Sequence, residues 1–264
     1  MLQTTILALL QSATEFLPVS SSGHLILIPH LFHWPDQGMV MDIALHIGTL
    51  FSVLIYFRRE VFMMVLGGLD LLKRSFKTSN ASFVLKLATA CIPVFLIGFF
   101  AHDYIEHHFR SPRLIASTAI IFGILLYLAD KKGKTAGTIH SLSFKDAFLI
   151  GVAQTLALIP GVSRSGITIT AARILGIARE DAAKFSMLLS IPTIGAAGAL
   201  GLLKILTGAA EATPPAALIF SGVFISFAGG VLAIGFLMRW LKTSSFAIFA
   251  IYRILLGGIL FYLF

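Results

Sequence analysis

Six apolar runs, at about 40–57, 83–101, 113–129, 183–203, 215–238 and 245–264, are each long enough to cross the hydrocarbon core of a bilayer as a helix. A soluble domain carries roughly a quarter charged residues. Here charged residues make up 12% of 264 and apolar ones 57%, so one water-facing globule cannot hide its greasy surface. Lipid must be the solvent. In lipid every backbone N–H and C=O needs an internal partner, which makes runs of this length helical. The sequence therefore predicts an all-α, polytopic membrane protein with six transmembrane helices.

The net charge of +8 does not point to nucleic acid, because the basic residues form short clusters between apolar runs instead of one stripe. Cys91 is the single cysteine, so no internal disulfide is possible. The first residues lack a basic leader with a small-residue cleavage site and read as retained structure.

Two further apolar stretches are interrupted. Residues 1–33 break at Pro18 and at Ser20-Ser21-Ser22-Gly23, and residues 145–176 break at Pro160-Gly161 and at Ser163-Arg164-Ser165-Gly166. Each reads as helix, polar turn, helix, with legs too short to span, the pattern of a re-entrant helical hairpin. The stretches also repeat one another. Setting residue n beside n+143 places Gln11 on Gln154, Val19 on Val162, Ser20 on Ser163, Ser22 on Ser165 and Gly23 on Gly166. Three spans follow each copy, and an odd number inverts the second copy relative to the first. The reading is a single membrane domain, 1–264, built as an inverted-topology repeat of about 1–130 and about 144–264, whose two polar tips meet near the midplane.

Charge agrees with the inversion. One side would carry Arg58, Arg59, Lys73, Arg74, Lys77, Lys131, Lys132, Lys134, Lys145, Arg239 and Lys242, the other only Arg110, Arg113 and Lys204. The positive-inside rule sets the first group, with the 58–82 and 130–144 connections, in the cytoplasm. Both chain ends and a 102–112 loop would face outward.

Gln11 and Glu15 lie four apart, on one helix face. A carboxylate in apolar surroundings needs a partner, so Glu15 reads as a structural ion pair, a metal ligand or a general base. Ser20, Ser21 and Ser22 precede a helix, as N-caps do, and such a helix start offers free N–H groups to an anion. Gly23 permits close backbone approach, and His24, three residues past Ser21, can act as acid or base. At the second tip, Ser163, Arg164, Ser165, Gly166 and Thr168 form a matching polar group. The Arg164 fork suits a phosphate or, in an empty site, a pair with Glu15.

Gln-Ser-Ala-Thr-Glu-Phe-Leu-Pro-Val-Ser-Ser-Ser-Gly-His at 11–24 and Pro-Gly-Val-Ser-Arg-Ser-Gly at 160–166 resemble the two signature motifs of the undecaprenyl-diphosphatase family, bacterial membrane enzymes linked to bacitracin resistance. The tail Phe246-Ala-Ile-Phe-Ala-Ile-Tyr-Arg253 is similar to the family as well, so the likeness runs nearly end to end. The family's first motif opens on Glu or Gln. With Gln11 here, any duty that needs two carboxylates falls to Glu15 alone. Ser22 stands where some members have threonine.

The resemblance implies hydrolysis of undecaprenyl diphosphate to the monophosphate and inorganic phosphate, recycling the lipid carrier for cell-wall glycans. It implies a divalent cation, Mg²⁺ or Ca²⁺, with Glu15 as its ligand, and Glu15, Ser21, His24 and Arg164 as catalytic residues. Gln11, Ser20, Ser22, Gly23, Ser163, Ser165, Gly166 and Thr168 would line the diphosphate pocket. The nucleophile is Ser21 or a metal-activated water, with Ser21 favoured. The partners implied are a polyprenyl diphosphate and membrane lipids, in the bacterial inner membrane, with the site opening to the periplasmic face; a homodimer is compatible with the sequence. The alternative is a lipid-phosphate transporter or flippase using the same inverted-repeat site. His102, Asp103, Glu106, His107 and His108 read as a solvated loop face, His30 and His33 as interfacial, Arg253 as structural, and His46 as belonging to no motif.

Overall fold

The computed structural model describes all residues except Asp36, Arg110, 134–136 and 208–213, and leaves aside the side chains of residues 22, 26, 29–31, 102–108 and 206. Among the described residues the chain forms eleven α-helices: α1 Leu2–Thr14, α2 Ser21–Phe32, α3 Gly38–Tyr56, α4 Arg58–Leu72, α5 Ser79–His108, α6 Pro112–Lys132, α7 Phe144–Thr155, α8 Arg164–Ile174, α9 Arg179–Leu206, α10 Ala216–Trp240 and α11 Ala247–Leu263. Strand pairing among them is limited to an isolated bridge between Gly137 and Ile177. Helices α3, α5, α6, α9 and α10 are long and apolar enough to cross a membrane, and α11 is apolar over 17 residues. The polytopic all-α expectation holds.

Local signals set the starts. Ser111 caps α6, its Oγ accepting from the Leu114 N–H at 3.2 Å, with Pro112 as first helical residue. Ser143 and Asp146 form a reciprocal capping box on α7. The outer surface of the spans is apolar, with Phe99, Phe220, Leu232 and Tyr262 exposed, as lipid contact requires.

Lipid supplies little drive for one apolar helix to leave it for another, so small residues bring the backbones together. Gly48 of α3 faces the α10 backbone at Val223, Gly151 of α7 faces Ala90 of α5, and Gly257 of α11 faces the Ala116 carbonyl of α6. A buried ion network fixes one end of α8. Asp130 Oδ1 accepts from Arg173 Nε at 3.1 Å and from Arg179 Nε at 2.8 Å, while its Oδ2 takes the Phe246 N–H at 3.0 Å. One carboxylate thus ties α6, α8, α9 and the start of α11.

Both interrupted stretches fold as helix, break, helix. α1, α2, α7 and α8 have 11 to 13 residues each, about 16–20 Å of helix against a hydrocarbon core of about 30 Å. The 58–82 connection holds a 15-residue helix, α4, whose apolar residues Phe62, Val65 and Leu69 are exposed. One reading needs correction. The 102–112 loop is mostly the end of α5, which runs to His108. The side chains of His30 and of the His102–His108 cluster lie outside the described residues.

Candidate active site

The two breaks are made in the same way. Ser20 has φ 79° and Ser163 has φ 71°. Each then caps the helix that follows: Ser20 Oγ accepts the Gly23 N–H at 3.3 Å, and Ser163 Oγ accepts the Gly166 N–H at 3.0 Å. A non-glycine residue at positive φ is uncommon, so finding one at the same place in both tips marks a shared backbone device.

Arg253 of α11, fully buried, binds the tips together. Its Nη2 donates to the carbonyls of Gly161 at 3.0 Å and Val162 at 2.8 Å, and Nη1 reaches the Pro18 carbonyl at 3.5 Å. A Cβ on Gly166 would meet Arg253 Nη1 at 2.6 Å, so this glycine makes room for the guanidinium. Arg253 is structural, as expected, and its partners are the backbones of both tips. Ser165 adds a second stitch, its Oγ donating to the Leu17 carbonyl at 3.2 Å.

This clamp brings Arg164 to Glu15. Arg164 Nη2 donates to Glu15 Oε1 at 2.8 Å, and its Nη1 donates to the Ser186 carbonyl at 2.8 Å. Glu15 Oε2 accepts from Ser21 Oγ at 2.8 Å and from Gln11 Nε2 at 3.1 Å. The Glu15 side chain is 6% exposed and that of Arg164 15%. A buried carboxylate holds its charge only when paired and hydrogen-bonded, and Glu15 has both. One carboxylate is therefore the meeting point of a hydroxyl from the first tip and a guanidinium from the second.

The remaining sequence candidates divide by what they touch. His24 Nδ1 lies 2.7 Å from the Ser20 carbonyl and must donate to it, so Nε2 accepts from Tyr252 Oη at 2.7 Å, with the two rings stacked. Both ring nitrogens are taken, and His24 does not act on Ser21 in this arrangement. Thr168 Oγ1 bonds the Arg164 carbonyl at 2.8 Å and Ser186 Oγ at 2.7 Å. With Ser163 and Ser165, whose hydroxyls are 3.2 Å apart, it braces the second tip. Ser20 and Gly23 likewise build the first tip, and the side chain of Ser22 lies outside the described residues.

His46 of α3, which belongs to neither sequence motif, belongs to the cluster. Its Nδ1 donates to the Asp42 carbonyl at 2.7 Å, and its Nε2 stands 3.7 Å from Glu15 Oε2. An ionisable residue inside a span is by default a functional one, and that signal was available without any motif. Tyr252, the partner of His24, carried no signal beyond its place in the tail motif.

The donor set meets a divalent cation halfway. Glu15 and Ser21 supply hard oxygens, and Gln11 Oε1 is buried without a hydrogen-bond partner among the described residues. Glu15, the cluster's one carboxylate among the described residues, is however already balanced by Arg164. Among the described residues no three His, Cys, Asp or Glu side chains gather to hold a metal ion. The residues fit a cation that brings its own anionic ligands, as a diphosphate does.

The fold and this cluster define a polytopic membrane protein whose buried centre suits a phosphate-bearing ligand. The chain belongs to the family described as bacitracin resistance protein BacA, whose model matches residues 4–259. It is 46% identical over 262 residues to an undecaprenyl-diphosphatase of Magnetococcus marinus, covering 97% of this chain and 96% of that one. It is 44% identical over 265 residues to an undecaprenyl-diphosphatase of Thioalkalivibrio sulfidiphilus, covering 99% and 98%. A third protein of that name, from Dinoroseobacter shibae, is 46% identical over 256 residues, with 97% and 95% covered.

Proposed function

We propose that this chain hydrolyses undecaprenyl diphosphate to undecaprenyl phosphate and inorganic phosphate, as the names of its relatives describe. The observation that carries the reading is the convergence of Ser21 Oγ and Arg164 Nη2 on opposite oxygens of the buried Glu15. A transporter needs the guanidinium but has little use for a hydroxyl hydrogen-bonded to a carboxylate, and the relatives are named for hydrolysis. The transporter alternative has no support.

In the mechanism, Arg164 turns its fork to the terminal phosphate and stabilises charge on its oxygens. Ser21 Oγ forms the new bond to phosphorus, Glu15 Oε2 takes the Ser21 proton, and the bond from phosphorus to the bridging oxygen breaks. Undecaprenyl phosphate leaves. Water then attacks the phosphoserine, inorganic phosphate departs, and Ser21 regains its proton. A divalent cation, held by Glu15 and Gln11 Oε1, would offset diphosphate charge. His24, braced by Tyr252, positions the start of α2 and hence Ser21.

The setting of the reaction is the bacterial inner membrane, with α11 as the sixth span and the hairpins entering from opposite faces as an inverted repeat. The site opens to the periplasm, supported by the unequal division of basic residues. Purified protein should release phosphate from undecaprenyl diphosphate, and absence of release under saturating Mg²⁺ would end the reading. In whole cells, with Cys91 replaced, a cysteine at position 132 should resist impermeant reagents; ready labelling there would reverse the orientation.

A further inference from the structure

A cation entering this pocket alone meets no net negative charge. Glu15 is paired with Arg164 at 2.8 Å, and a guanidinium at that range opposes a second positive charge. Where a second carboxylate would leave the pocket anionic, the chain has Gln11. Yet the pocket holds an idle oxygen. Gln11 Nε2 donates to Glu15 Oε2, which turns the amide oxygen away from the carboxylate, and that oxygen has no donor among the described residues. The assignment is set by chemistry, since a flipped amide would press Oε1 against Glu15 Oε2. A buried amide oxygen left without a donor is available to a hard cation.

We propose that substrate completes the cation site: a diphosphate and a divalent cation bind together by exchange of ion-pair partners. The proposal rests on the phosphatase reading and goes past it. Arg164 leaves Glu15 for the diphosphate oxygens, which its planar fork matches two at a time. Glu15, released, pairs with the cation that the diphosphate carries, and Gln11 Oε1 supplies a neutral oxygen beside it. Small divalent cations commonly sit between one or two carboxylates and substrate phosphates, and one carboxylate suffices here because the phosphates bring the rest. Each charge that loses a partner gains another, so no bare charge is left buried at either end of the exchange. Ser21 keeps its place, and the departure of Arg164 leaves Glu15 Oε1 open while Oε2 still faces the hydroxyl.

The exchange makes cation and diphosphate affinities interdependent. The test follows Mn²⁺ by its electron paramagnetic resonance signal on the purified full chain, with and without a methylene-bridged prenyl diphosphonate that cannot be hydrolysed. Glu15→Gln protein with the same analogue corrects for Mn²⁺ held by the analogue alone. Without analogue, wild-type protein should show no saturable site up to roughly 1 mM Mn²⁺. With it, one Mn²⁺ per chain should bind at least about tenfold more tightly, and Mn²⁺ should tighten analogue binding by the same factor. Gln11→Glu, which restores the missing charge, should bind Mn²⁺ with no analogue present. Equal Mn²⁺ affinity with and without analogue in wild-type protein would overturn the exchange, whatever the fate of the variant. If the analogue still binds and phosphate is still released, the phosphatase reading survives that failure. If the analogue does not bind at all, both fall.

Discussion

The two hairpin tips share a backbone and divide the chemistry between them. Ser20 and Ser163 sit at similar positive φ and cap through the same kind of i+3 bond. One residue further on, at the first helical position, the first tip presents Ser21 and the second Arg164. Elsewhere the second stretch lacks the reactive groups of the first: Leu158 stands at the place of Glu15 and Ile167 at that of His24. Gln154 remains where Gln11 would be, buried, with neither amide atom partnered among the described residues. The contrast teaches that the cap, set by serine and backbone, leaves the next side chain free. The same capping device therefore carries a hydroxyl at one tip and a guanidinium at the other, both facing one carboxylate.

Removing the first tip's contribution should have the largest effect. Ser21→Ala should lower turnover by roughly a thousandfold or more, because a hydroxyl that forms a covalent bond has no substitute. Rapid quenching with terminally labelled diphosphate should trap label on the Ser21 peptide of the wild-type protein only. Appreciable turnover in the alanine variant would assign the attack to water.

The second tip's contribution is electrostatic, and its loss should be smaller. Arg164→Lys keeps the charge but loses the fork, and initial rates should fall on the order of a hundredfold with the fold intact. If the two variants lose activity equally and no label is trapped on either, the division of labour between the tips is wrong. A lysine variant with near-normal rate would place Arg164 outside the site.

Much of this was legible in the sequence, for identifiable reasons. Span positions follow from unbroken apolar runs, and the breaks follow from Pro18 and the serine clusters. Glu15 and Arg164 stand out because a charge in an apolar stretch demands an account, whereas the role of Ser21 comes from the resemblance of its motif. What the sequence hides is which hydrogen bonds a polar group has already made. Residue type alone does not reveal that the hydroxyls of Thr168, Ser163 and Ser165 bond to one another and to Ser186 within the second tip. His24 reads as an acid or base near Ser21, and its ties to the Ser20 carbonyl and to Tyr252 appear only once α2 and α11 are packed. His46 lies on α3, outside both motifs; its place in a span marks it, but only the packed structure shows that it reaches Glu15. The Asp130 network is legible in no local pattern, since its three partners come from α8, α9 and the start of α11.

Arg253 offers a way to loosen both tips at once. Arg253→Lys keeps a cation but cannot reach Gly161, Val162 and Pro18 together, and each buried carbonyl left without a donor costs about 1–3 kcal/mol. The thermal midpoint in detergent should drop, and activity should fall about tenfold from misplacement of Arg164 against Glu15. Lost stability with unchanged turnover at low temperature would show that the tips hold register without the clamp.

The smallest effect tests the shared device itself. At positive φ, glycine avoids the steric penalty that serine carries, of order 1 kcal/mol or more. As an N-cap, glycine gives up only a few tenths of a kcal/mol relative to serine. The first quantity exceeds the second, so Ser20→Gly and Ser163→Gly should each leave the thermal midpoint unchanged or raise it slightly. Ser→Ala at either position loses the cap and keeps the strain, and should lower stability by about 1 kcal/mol. The sign should be the same at both tips, because φ and the capping bond are the same. Should glycine stabilise one tip and destabilise the other, the two serines do different work and the tips are alike only in outline.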